Sequence, residues 1–330
     1  MDRYASLQDW IARQFPGKEF TLSPASADAS FRRYFRVTFP DSTLIAMDAP
    51  PPQEDCRPFV RVAALMADAN VHVPAVLAQD LARGFLLLSD LGATTYLAAL
   101  NPGNADQLFS DAIDTLVRWQ LASREDVLPA YDKALLRREL DLFPEWYIGR
   151  HLGITLGSQQ SESLNRIFGL ILAGNLAQPK VYVHRDYMPR NLMVSNPNPG
   201  VLDFQDAVFG PISYDVASLF KDAFLSWEEE RVLDWTVHYW ERARRAGLPV
   251  NADFGVFYRD FEWMGLQRHL KVLGIFARIC HRDGKPGYVE DTPRFLGYVR
   301  AVALRYAALT PLLRLLDQFQ DREPAVGLTI

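Results

Sequence analysis

Apolar side chains recur at Leu7, Trp10, Ile11 and Phe15, a three-to-four-residue spacing that predicts a helix over residues 4–15. The period then drops to two. Phe31, Phe35, Val37 and Phe39 fall on one face of an extended segment, with Arg32, Tyr34, Arg36 and Thr38 on the other. The polar turn Pro40-Asp41-Ser42 leads into Thr43-Leu44-Ile45-Ala46-Met47, so the two runs predict a hairpin. Three prolines, Pro50 to Pro52, break the chain before a helical stretch from Glu54 to Asn70. Val76-Leu77-Ala78 and Phe85-Leu86-Leu87-Leu88 add two more strands, giving a small, mostly antiparallel lobe with one inner helix.

After Ser89-Asp90-Leu91-Gly92 the pattern changes. Helical periods dominate 94–121, 132–152 and 160–176, short apolar strands follow, and helices return from about 214 to the end. The prediction is an α+β, bilobal chain, with an N-terminal lobe over 1–91 and an α-rich lobe over 92–330. The 330 residues suffice for two cores. A net charge of -5 argues against nucleic acid as a partner. No apolar run reaches membrane-span length, and Met1-Asp2-Arg3-Tyr4 opens no apolar leader. Two cysteines, Cys56 and Cys280, are too few for a disulfide framework and fit a reducing compartment. The expectation is a cytoplasmic enzyme acting on a small molecule, with no membrane and no obligate protein partner.

The chemistry is concentrated between residues 183 and 205. Val183-His184-Arg185-Asp186 is followed by Asn191, five residues after Asp186, and by Asp203 at the end of the apolar run Val201-Leu202. This is the order H-R-D-x-x-x-x-N, then Asp, found in the phosphoryl-transfer machinery of kinase-like enzymes. Phosphoryl transfer needs a hydroxyl held in line and cations that neutralise phosphate charge. Asp186 is the candidate base for that hydroxyl, and Asn191 and Asp203 offer hard oxygen ligands suited to Mg²⁺. A chance tripeptide on a surface turn is the plain alternative, and the chain holds its own control. His281-Arg282-Asp283 repeats H-R-D, but Tyr288 stands where the Asn should be, and no strand with a terminal Asp follows.

The nucleotide side departs from the wider kinase pattern. No lysine lies between Lys18 and Lys133, so the strand lysine that pairs with the α- and β-phosphates is missing near Ala46-Met47-Asp48. No G-x-G-x-x-G loop exists either. Ala25-Ser26-Ala27-Asp28-Ala29-Ser30 occupies that turn, and its small residues would let backbone N–H groups approach phosphate. Arg32, Arg33 and Arg36 are the candidate cations, with Arg33 expected to point inward; a solvated strand face is the alternative. Glu54 is expected either to pair with one of these arginines or simply to favour the helix start. The connector from Leu88 to Leu91, with Asp90, is expected to face adenine through its backbone.

The chain resembles the aminoglycoside phosphotransferase and choline kinase branch of the protein-kinase-like fold, on the His184 loop and on Tyr214-Asp215-Val216-Ala217 after Asp203. Five segments are similar to the bacterial anomeric sugar kinases: Ser30 to Arg36, Met47 to Pro51, Phe143-Pro144-Glu145-Trp146-Tyr147, the His184 loop, and Phe276 to Lys285. That resemblance implies ATP and Mg²⁺ as cofactors, and phosphorylation of N-acetylmuramate or N-acetylglucosamine at the C1 hydroxyl in cell-wall recycling. An aminoglycoside or choline-like acceptor, or a binding module without catalysis, are the rivals.

On the acceptor side, Trp146 and Tyr147 could stack a sugar ring or belong to the core. Arg190, one residue before Asn191, could meet the γ-phosphate, an acidic substrate group or a structural ion-pair partner. Gln205 and Asp206 follow Asp203 and could reach metal or sugar. The cation-rich segment Arg268, His269, Lys271, Arg278, His281, Arg282 and Lys285 suits an acidic sugar if it faces the site, and is otherwise a solvated basic helix. Asp215 is expected to lie buried behind the catalytic loop and hold its backbone.

Overall fold

The computed structural model describes residues 2–26 and 31–319. Along the chain come α1 (Arg3–Gln14), β1 (Thr21–Ser26), β2 (Arg33–Thr38), β3 (Thr43–Asp48), α2 (Arg57–Asp68), β4 (Val76–Asp80) and β5 (Phe85–Ser89). Then follow α3 (Tyr96–Ala99), α4 (Ala105–Leu121), α5 (Lys133–Leu142), α6 (Ser158–Leu176), β6 (Lys180–Val183), β7 (Leu192–Met193), β8 (Gly200–Val201) and β9 (Val208–Pro211). The last helices are α7 (Tyr214–Phe220), α8 (Glu229–Arg245), α9 (Phe254–Asp283), α10 (Thr292–Arg305) and α11 (Thr310–Asp317). The chain divides into two compact units, Met1–Trp119 with Pro189–Ala207, and Gln120–Met188 with Val208–Ile330. These units are interleaved in sequence, unlike the uninterrupted lobes expected at 1–91 and 92–330.

The first unit is built on a five-stranded antiparallel sheet in the order β1-β2-β3-β5-β4. The predicted hairpin pairs Phe35 with Ala46 and Thr38 with Thr43. Leu7, Trp10 and Ile11 of α1 pack with Phe35, Val37, Phe39, Ala46, Phe85 and Leu87, so the period-two face and the helical stripe close one core. Phe31 is the exception to its predicted face. It lies outside β2 and is 67% exposed. The inner helix begins at Arg57, with Pro58 in its first turn, so Glu54 precedes it rather than opening it. The returning segment contributes the short hairpin β7–β8, in which Leu192 faces Val201.

The second unit is helical around the two-stranded β6–β9 sheet. Its core gathers Leu136, Leu140, Phe143, Tyr147, Phe168, Tyr214, Leu270 and Leu273. The stretch expected as one helix over 132–152 is two: α5, then a π-helical segment at Phe143–His151. The stretch 94–121 likewise splits into α3 and α4. No described helix is long and apolar enough to cross a membrane.

Candidate active site

In the second unit, Asp186 lies in the turn after β6, and the turn is pinned by its backbone. The carboxylate of Asp215, fully buried in the first turn of α7, accepts the N–H of His184 at 2.7 Å and of Arg185 at 3.0 Å. Burial pushes that carboxyl up to about 7, against the two N–H bonds that favour its charged form. The Asp186 N–H donates to Nδ1 of buried His184 at 3.2 Å, and the Met188 N–H to the Asp186 carbonyl at 3.0 Å. Arg185 occupies the left-handed region at φ 77°, a conformation that costs a non-glycine residue about 1–2 kcal/mol.

That cost is met by a buried polar cluster absent from the sequence expectations. Glu139, on α5, accepts Arg185 Nη2 at 2.7 Å and Lys271 Nζ at 2.9 Å on Oε1. Its Oε2 accepts the hydroxyl of Tyr131 and, at 3.1 Å, Gln267 Nε2. Burial would raise the Glu139 carboxyl, but Lys271 and Arg185 outweigh it and hold it at about 2. Burial likewise opposes the charge on Lys271, and Tyr214 and Glu139 reverse that and raise it.

In the first unit, Asn191 ends a 3₁₀ turn just before β7, and Asp203 follows β8. The Leu202 N–H donates to the Asn191 carbonyl at 2.9 Å, extending the hairpin so that the two residues flank one end of it. Asn191 Nδ2 stands 3.4 Å from Asp203 Oδ2, and Gln205 Nε2 donates to Oδ1 at 2.8 Å. Asp203 is itself left-handed, at φ 62°, and exposed. An amide oxygen and one carboxylate fit Mg²⁺, which is commonly held by one or two carboxylates with substrate phosphates completing the shell. Gln205 is thus brought to Asp203, and Arg190 sits half-buried in the 3₁₀ turn.

The arginines of the same unit separate by partner. Arg32 and Glu54 form an ion pair at 2.9 Å with both side chains 14% exposed, one of the two outcomes expected for Glu54. Arg33 does not point inward. It is exposed and clamps buried Asp48 together with Arg3, a pairing set by the β2–β3 register that puts Arg33 opposite Asp48. Arg36 binds Asp90 at 2.7 Å and the Gly92 carbonyl at 2.9 Å. Leu88 is buried in β5, opposite Ile45. The expected phosphate approach by Ala27 to Ser30 lies outside the described residues.

The basic segment of α9 is neither wholly site-facing nor wholly solvated. Arg268, His269 and Lys271 are buried, Arg278 is half-buried, and His281, Arg282 and Lys285 are exposed. His281 Nε2 lies 3.2 Å from Nδ1 of His151, at the end of the π-helix, and burial lowers the Arg278 guanidinium. Trp146 is partly buried against the core that holds Tyr147. The second H-R-D ends α9, its Arg282 paired with its own Asp283 at 2.6 Å.

Comparison with known proteins agrees with this chemistry. The phosphotransferase enzyme family matches residues 21–250. An N-acetylmuramate/N-acetylglucosamine kinase of Pseudomonas aeruginosa is 59% identical over 295 residues, covering 89% of this chain and 87% of that protein. One of Neisseria meningitidis is 50% identical over 335 residues, the full length of both. Among solved structures, the ADP-bound aminoglycoside phosphotransferase APH(2'')-Ib superposes with a TM-score of 0.57 at 15% identity, over 90% of this chain and 98% of its own, a likeness of fold. The chain therefore belongs to the phosphotransferase enzyme family and is an ATP-dependent kinase by that membership.

Proposed function

We propose that the chain transfers the γ-phosphoryl group of ATP to the C1 hydroxyl of N-acetylmuramate and N-acetylglucosamine. The observation that carries the acceptor is the 50% identity, end to end, with a relative of that name. In this reading Asp186 accepts the proton of the sugar hydroxyl as its oxygen attacks the γ-phosphorus. Its neighbours keep the carboxylate in place: Asp215 through the backbone of His184 and Arg185, and His184 through the Asp186 N–H.

Asn191 and Asp203 would hold Mg²⁺, which when bound neutralises charge on the phosphate oxygens. Gln205 orients Asp203 by occupying Oδ1. Arg32 takes over the phosphate contact of the missing lysine, with Glu54 steadying it. Arg278 and His281 belong to the acceptor side, where cations favour the lactyl carboxylate of N-acetylmuramate over a polycationic aminoglycoside.

The test is incubation with ATP, Mg²⁺ and, separately, N-acetylmuramate, N-acetylglucosamine, kanamycin and choline, with products followed by mass spectrometry. The expected product is a sugar phosphate released by mild acid, as a C1 phosphate is. Phosphorylation of kanamycin or choline alone overturns the acceptor. The Asp186→Ala enzyme should lose about 10²–10⁴-fold in kcat, and full turnover in it overturns the base.

A further inference from the structure

Glu139 fills both of its oxygens from inside the second unit, with two cations on Oε1 and two neutral donors on Oε2. A buried carboxylate so satisfied holds its partners to one geometry, because each alternative leaves a donor or a charge unpaired. Arg185 is the partner that matters for chemistry. Its left-handed backbone leads into Asp186, and its guanidinium is held by Glu139.

Charge points the same way. Glu139 carries one negative charge against the two positive charges of Arg185 and Lys271, leaving one positive charge in excess. Asp186 is among the groups whose charge favours the protonated Lys271, after Tyr214 and Glu139.

We propose that Glu139 and Lys271 are positioning residues, which hold Arg185 in its left-handed conformation and thereby aim the carboxylate of Asp186. They touch neither substrate nor nucleotide in this role. Glu139 grips the guanidinium, while Lys271 anchors Glu139 to the Tyr214 hydroxyl at 3.1 Å, one residue before Asp215. Backbone and side chain of Arg185 are thus held separately, the first by Asp215 and the second by Glu139. The inference rests on the assignment of Asp186 as base.

The experiment compares the wild-type enzyme with Glu139→Gln, Lys271→Met, the double variant E139Q/K271M, Tyr131→Phe and Asp186→Asn. The double variant removes one charge of each sign, so it should be less destabilised than Glu139→Gln, which leaves two cations without their carboxylate. A misplacement of about 1 Å at a reacting group can cost about 100-fold. The double variant should therefore lose at least about 30-fold in kcat with KM for sugar and ATP within about threefold. Tyr131→Phe deletes one donor and leaves every charge, and its kcat should fall about three- to tenfold at constant KM.

A folded double variant with kcat within threefold of the parent overturns the proposal. So does a loss confined to KM. Where the double variant does not fold, Tyr131→Phe decides: unchanged kcat overturns the proposal and a fall in kcat at constant KM supports it. Full turnover in Asp186→Asn would overturn the base assignment itself, separately from the positioning residues.

Discussion

The three arginines of the sheet unit show how much a residue's partner decides about its use. The guanidiniums of Arg33 and Arg36 are committed to Asp48 and Asp90, residues of the sheet and of the segment that follows it. Arg32 instead pairs with Glu54 at 2.9 Å, in the manner of the lysine–glutamate pair that sets the phosphates in other kinases. Arg32→Met should therefore raise KM for ATP about 10- to 100-fold, the equivalent of about 1.5–3 kcal/mol for a charge-assisted contact. Arg33→Met should change it less than about threefold. Initial-rate kinetics at saturating sugar decide between them, and a larger effect in Arg33→Met reverses the assignment. Spacing alone singled out Asp186, Asn191 and Asp203, since five residues and then twelve is a local pattern. It could not choose among the arginines, nor find Glu139. A glutamate at a helix position and a lysine in a basic run read as solvated, and their burial is decided by residues far apart in the chain.

Helix α9 carries the same lesson one level up. That helices fill the chain after about residue 214 was legible, but neither the length of this one nor the closeness of its packing. A Cβ added at Gly274 would lie 2.4 Å from the carbonyl carbon and oxygen of Leu142, the last residue of α5. Only glycine lets α9 pass so near the point where α5 gives way to the π-helix. Gly274→Ala should destabilise the protein by about 1–3 kcal/mol, because overpacking against backbone exceeds the gain of about 1 kcal/mol in helix propensity. Urea denaturation checks the sign, and a stabilised variant would show that the two helices yield. The π-helix was hidden for a different reason. Phe143, Tyr147, Ile148 and Leu152 keep an α-like apolar spacing, although Pro144, interior to the helix expected over 132–152, marks the point where the α5 hydrogen-bond ladder ends.

Over the whole molecule, two buried carboxyls impose opposite dependences on pH. Glu139 is held at about 2 in the folded chain, against an ordinary value near 4.5. Its contribution is present in full above about 4.5 and is lost as pH falls towards 2, amounting to about 3 kcal/mol at about 1.4 kcal/mol per pH unit. Asp215 is raised, so its contribution is present below its ordinary value of 3.8 and is lost as pH rises through about 7. Stability should fall on the acid side through Glu139. Denaturation at a series of pH values should show this limb in the parent and a flatter one in Glu139→Gln; parallel curves would refute the linkage.

The sequence order of the compact units bears on how the chain is made. The sheet unit needs Pro189–Ala207, yet Gln120–Met188, part of the other unit, must be synthesised first. On the ribosome the five-stranded sheet emerges early but lacks the β7–β8 hairpin, with its Asn191 and Asp203, until past the middle of translation. Neither unit can be released whole by cutting the chain once, and neither is complete before part of the other has been synthesised. The nascent chain passes through a stage in which Arg32 and Glu54 are present while Asp186, Asn191 and Asp203 have yet to be made.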